Sequence, residues 1–147
     1  MIIEPLTGLF ERDIEKLKGE IDLYRDEDNL GVINAGISNS AGNLCLHLIG
    51  NLSHFIGASL GNTGYVRYRD DEFSLKNIPR RNLVMKIENC KVIVKNTLVK
   101  LTAADLEKDF PLEKHGAIVS TAHMLLHLYG HLSYHLRQMN YHRRLLA

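Results

Sequence analysis

Apolar residues recur every three or four positions through most of this chain, and strand-type alternation is weak throughout. Over residues 6–25, Phe10, Ile14, Leu17, Ile21 and Tyr24 share one stripe, with Glu11, Asp13, Glu15, Lys16, Lys18 and Glu20 expected outside. Gly31, Gly36, Asn29 and Asn34 mark a loop, after which Ser38 or Ser40 can cap a second helix running to about Leu60. A long connection follows over residues 61–78, GNTGYVRYRDDEFSLKNI, and Pro79 stands at the first turn of a third helix. That helix carries Leu83, Ile87, Cys90, Val94, Leu98 and Leu101 on a near-heptad stripe, with Lys86, Glu88, Lys91 and Lys95 mostly outside. Thr102 can cap a short extra helix, AADLEKD, ended by Phe110-Pro111. The final stretch, Gly116 to Ala147, stacks Met124, Leu125, Leu128, Leu132, Leu136 and Met139 on one face, with Ser133, Arg137, Asn140 and Arg144 opposite. The pattern predicts an all-α four-helix bundle, one domain over residues 1–147, with a long connection between helices 2 and 3 and a short helix before helix 4.

The second helix has a peculiarity that changes the picture. No charged residue occurs from Asn29 to Val66. A helix without charge is buried on most sides, by its own bundle or by a second subunit, so a homodimer is expected. A membrane span is the rival reading. It is disfavoured because Asn43, His47, Asn51 and His54, at i, i+4, i+8 and i+11, would all need partners in lipid. A narrow stripe of neutral polar groups on an apolar helix fits a lined cavity better.

The fourth helix carries the chemistry. Five of the chain's eight histidines lie in it, and His123, His127, His131 and His135 are each four residues apart, along the edge of the apolar stripe. Two imidazoles at i, i+4 can grip one metal ion, and neutral imidazole suits zinc, nickel, copper or ferrous iron, with manganese also open. A third ligand must come from elsewhere, and the other dense site is the second helix. The ligand set expected is His47 with His131 and His135; His54 and His127 are the alternatives. His142 shares the face of His131 but lies three turns further on, roughly 16 Å away, too far to share the ion. For His115, His123 and His142, an ordinary hydrogen-bonded or partly exposed role is expected. Three histidine ligands leave a position open for water or substrate, as catalytic rather than structural zinc sites do.

Composition narrows the partners. The chain has 147 residues and a net charge of +1, which gives no electrostatic case for nucleic acid or an anionic membrane. Cys45 and Cys90 are far apart with no CxxC, and the opening MIIEPLTGLFERD lacks the pattern of a signal peptide; a reducing, cytoplasmic setting is expected. Cys45 is two residues from His47 and faces away from it on the helix, so it is not offered as a nucleophile.

Two segments carry a resemblance. LCLHLIGNLSHF (Leu44 to Phe55) and HLSYHLRQMNYHRRLL (His131 to Leu146) are similar to the ligand-bearing helices of the DinB/YfiT-like superfamily of metal-binding four-helix bundles, the second to its His-x-x-x-His-x-Gly-Gln segment. The order of elements agrees over essentially the whole chain. The loop RYRDDEF (Arg67 to Phe73) looks like a segment of one uncharacterised branch. The family's ligand triad falls on His47, His131 and His135, and Gln138 is kept; Arg137 stands where many members have glycine. The resemblance implies a divalent metal ion and, from thiol-dependent relatives, a low-molecular-weight thiol held as thiolate for S-transfer to a small electrophile. Asn51 and His54 would then contact or orient a ligand, and Gln138 would hydrogen-bond to a metal-bound histidine. Arg67 and Tyr68 could reach over the mouth to bind an anionic group, against the alternative of a solvated loop. Two other functions compete: metal-assisted hydrolysis, weakened because neither motif holds a carboxylate, and a non-enzymatic binding or dimerisation module with a structural ion.

Overall fold

The computed structural model describes residues 2–34 and 36–146. Its elements are helix α1 (Ile3–Leu23), a 3-10 turn (Glu27–Gly31), α2 (Ala41–Gly61), α3 (Arg69–Ser74), α4 (Arg80–Leu98), α5 (Ala103–Glu107) and α6 (Thr121–Leu145). Among the described residues there is no β-strand, only two isolated bridges, Asp109 with Ser120 and Lys114 with Ala117. The four long helices are those expected. α1 packs chiefly on α4 and α6, and α2 packs on α4 and α6 and receives α3 on its remaining side.

The predicted stripes form the core. Phe10, Ile14, Leu17 and Ile21 of α1, Leu83, Ile87, Val94 and Leu98 of α4, and Leu125, Leu128 and Leu132 of α6 are all essentially out of solvent. Leu101, placed on the third stripe by its spacing, lies past the end of α4 and is half-buried. Caps set the starts. Ser40 accepts from the Asn43 backbone N–H at the head of α2, and Thr102 forms a reciprocal capping box with Asp105 at α5.

Two expectations need correction. Asp13, placed outside because it is charged, is buried; its carboxylate accepts from Tyr129 Oη at 2.8 Å and from Arg12 Nε at 2.9 Å. Its position three residues after Phe10 already put it on the inner face, and the hydroxyl from α6 gives it the partner that a buried carboxylate needs. Residues 61–78 are also not an open loop throughout, because α3 lies within them and docks on α2.

α2 explains its own lack of charge. Ten of its first twelve residues, from Ala41 to Leu52, are buried, so the bundle covers this helix without a second subunit. Ala41–Gly61 is long and apolar enough to cross a membrane by composition, but most of it is enclosed by its neighbours. Its second half, Ser53–Ala58, widens into a π-helical segment, a feature that often marks functional sites.

At the far end, His142 acts as expected of it. Tyr24 Oη lies 2.6 Å from its Nδ1, and its Nε2 lies 2.7 Å from the Val32 carbonyl. A carbonyl only accepts, so Nε2 carries the proton and Nδ1 accepts from the tyrosine. The pair ties the end of α6 to α1 and to the segment that follows it.

Replacing core Leu125 by alanine should lower stability by about 2–5 kcal/mol. Leu126→Ala, on the exposed side of the same turn, should change it by less than about 0.5 kcal/mol. Urea melts of the two variants beside the parent measure the difference.

Candidate metal centre

His47 on α2 and His131 and His135 on α6 come together. One ligand atom from each lies within 4.8 Å of the other two. His47 Nε2 and His131 Nε2 are 3.1 Å apart, and the three ring centroids are separated by 4.5, 4.9 and 5.4 Å. The rings stand nearly perpendicular to one another, at 74° to 85°, so they converge without stacking. Two nitrogens on one tetrahedral zinc, each about 2.05 Å from it, lie about 3.3 Å apart. The observed pair is already close to that spacing.

The outward nitrogens of two rings are pinned. His47 Nδ1 lies 3.0 Å from Glu72 Oε1, so it carries the proton and leaves Nε2 with a free lone pair. His135 Nδ1 lies 2.7 Å from Gln138 Oε1, and the Gln138 amide nitrogen donates to Tyr134 Oη at 3.1 Å. With the amide oxygen facing His135, Nδ1–H donates and the His135 Nε2 lone pair is free. His131 Nδ1 is buried with no partner.

Protonation favours the same end. Burial pushes the His131 imidazole down to about 4, and the neighbouring His135 and His47 add to the effect. Burial also lowers His47, with Glu72 pulling the other way. Three imidazoles aimed at one point, two of them with their second nitrogens engaged, fit a divalent cation. The donor set would be His47, His131 and His135.

The sequence reading missed Glu72, and hydrolysis was disfavoured on the ground that no carboxylate lay in either motif. The structure corrects this: α3 delivers Glu72, a buried carboxylate, to the back of His47. Arg67 holds it with a two-pronged ion pair, Nε to Oε2 and Nη2 to Oε1, both at 2.8 Å. A signal for this contact does exist in the sequence. Gly50, one turn past His47 on the charge-free helix, gives up its side chain so that Glu72 can lie against the backbone; a Cβ there would sit 1.9 Å from Glu72 Oε2. Asn43 completes the dock by donating to the carbonyls of Glu72 and Leu75, both at 2.9 Å, while its own oxygen accepts from Ser40 and Lys76.

The remaining candidates fall in different places. Arg67 is mostly buried, with its guanidinium also 5.9 Å from the Phe55 ring centroid, whereas Tyr68 is exposed. Asn51 is buried on the same stripe as His47, and its Oδ1 has no partner. His54 is half-buried against Phe55, and His127 is exposed; neither belongs to the convergent set. Phe73 covers the His47 ring at 4.9 Å. Cys45 and Cys90 are buried thiols held in the neutral form, Cys90 pushed up to about 12 by burial.

Glu72→Ala should lower affinity for zinc about 10- to 100-fold by freeing the His47 ring. Gly50→Ala should act in the same direction by displacing the carboxylate, although it removes no polar group. Gly19→Ala, where an added Cβ meets open space, should leave affinity unchanged. Competition with a chromogenic chelator measures all three.

No curated protein matches this chain. Residues 11–147 match a family described as protein of unknown function (DUF1572). With the match running over nearly the whole length and through every residue of the histidine cluster, the chain belongs to the DUF1572 family.

Proposed function

We propose that this protein is a metal-dependent enzyme of the DinB/YfiT-like kind, in which His47, His131 and His135 hold a divalent ion and a low-molecular-weight thiol occupies the open position for transfer to a small electrophile. The observation that carries the reading is the convergence of three imidazoles, with one ligand atom of each within 4.8 Å of the others. The order of the four long helices and the two histidine motifs support the superfamily assignment.

Charge supports an anionic further ligand. Imidazole binds a metal ion in its neutral form and brings it no charge, and the charge of Glu72 is already balanced by Arg67. The ion would therefore keep its two positive charges and favour a fourth ligand that carries negative charge. A coordinated thiol is deprotonated outright, and the thiolate is the nucleophile. The chain's own residues would position the ion through Glu72 and Gln138 and shield it with Phe73.

Glu72 does not revive the hydrolytic alternative. It contacts Nδ1 of His47, on the far side of the ring from the nitrogen that faces His131, and it is fully engaged there. A general base for a metal-bound water has to lie on the open side. The thiol reading is therefore preferred, in a cytoplasmic protein that acts on small molecules rather than on nucleic acid or membrane.

Metal content of His131→Ala beside the parent should fall from about one equivalent to near none. Cobalt-loaded parent protein titrated with cysteine or a related small thiol should develop a thiolate charge-transfer band. Equal metal content in the two proteins would remove the centre of the proposal, and ester or amide turnover without such a band would favour hydrolysis.

A further inference from the structure

A cavity of about 590 Å³ lies beside the histidine cluster at His135, between Asn34 and residues 36–39 on one side and the last three turns of α6 on the other. His135 is part of its wall. Its volume suits a small organic molecule. Much of the lining is apolar or aromatic, from Ile37, Leu44, Tyr141 and Leu145. Arg137 is the cation in the lining, and no acidic side chain among the described residues lines it.

Tyr134, Arg137, Gln138 and Tyr141 stand at i, i+3, i+4 and i+7 on α6, so they form one face of that helix. Gln138 spends its amide on His135 and on Tyr134 Oη. Because Tyr134 accepts that bond, its own hydroxyl proton is left to donate. Glu20, which borders the neighbouring groove that Arg137 also lines, is engaged by Arg143 and Asn140 at 2.7 and 2.8 Å and is not the partner of Arg137.

We propose that this cavity binds a small monocarboxylate with an apolar or aromatic body, its carboxylate held between the Arg137 guanidinium and the Tyr134 hydroxyl. The planar guanidinium matches a carboxylate with two parallel hydrogen bonds. One cation balances a single negative charge; a phosphate dianion would call for more. Ile37, Leu44 and Tyr141 receive the body. His135 is the candidate metal ligand in the wall, and through it a bound carboxylate would bear on the metal centre; to that extent the inference rests on the reading above. The chain Tyr134–Gln138–His135 links carboxylate binding directly to the orientation of an imidazole in the cluster.

The test is an NMR titration of the full-length protein with benzoate, benzamide and phenyl phosphate, run as isolated and after chelator treatment. Benzoate should shift the ring signals of Tyr134 and Tyr141. In chelator-treated protein, Arg137→Gln should weaken benzoate at least fivefold and change benzamide less than twofold, and Tyr134→Phe should weaken benzoate about threefold. A smaller loss for Arg137→Gln, shifts centred elsewhere, no binding of benzoate, or tighter binding of phenyl phosphate than of benzoate would overturn the assignment. Because the deciding comparison is made without metal, its failure is separate from failure of the metal reading, which the metal content of His131→Ala decides.

Discussion

A polar atom enclosed in a protein must find a partner, and most of this molecule's unusual features answer that requirement on α2. The helix is apolar and carries no charge, yet Asn43, His47 and Asn51 run along its buried surface. Residues 62–79 satisfy two members of that stripe, Asn43 and His47, while Asn51 Oδ1 is left without a partner. Asn43 takes the backbone of α3 and Lys76, and His47 takes Glu72. Arg67 neutralises Glu72, so the connection lies along the bundle as a fitted strap. The facing side of His47 is met by α6, and the histidine cluster forms where strap, second helix and last helix meet.

The helices and their inner faces were legible in the sequence because burial imposes a 3.6-residue rhythm that solvent does not. The histidine cluster was legible for the same reason: spacing placed His131 and His135 on one edge, and the uncharged helix offered His47, with His54 as the alternative, for a third ring. What could not be read was the strap. RYRDDEF has the composition of a solvated loop, and nothing local reveals that Glu72 lies buried with Arg67 while Asp70 and Asp71 face water. Residue type misled in the same way at Asp13, where the rhythm pointed inward and the charge pointed outward. In both cases a remote hydrogen-bonding group decided the outcome, Tyr129 for Asp13 and His47 for Glu72. Gly50 was the one trace left in the chain, since a missing side chain on a crowded helix marks a close approach.

The proposed ion site and the proposed carboxylate site occupy different layers of α6. Its inner edge supplies two imidazoles, and its outer face supplies Tyr134, Arg137 and Tyr141, with Gln138 bridging the two. Residues of the outer face can change without disturbing the ligands.

The three rings sit above a core of leucine, isoleucine and phenylalanine that is closed by its own packing. Helical pairing and the Arg67–Glu72 clasp already hold the imidazoles in place, so a cation could be admitted after the backbone has acquired its shape. Occupancy would then follow which ion the surroundings supply at the time of loading as much as the preferences of imidazole. One polypeptide could be recovered with different elements from different growth conditions.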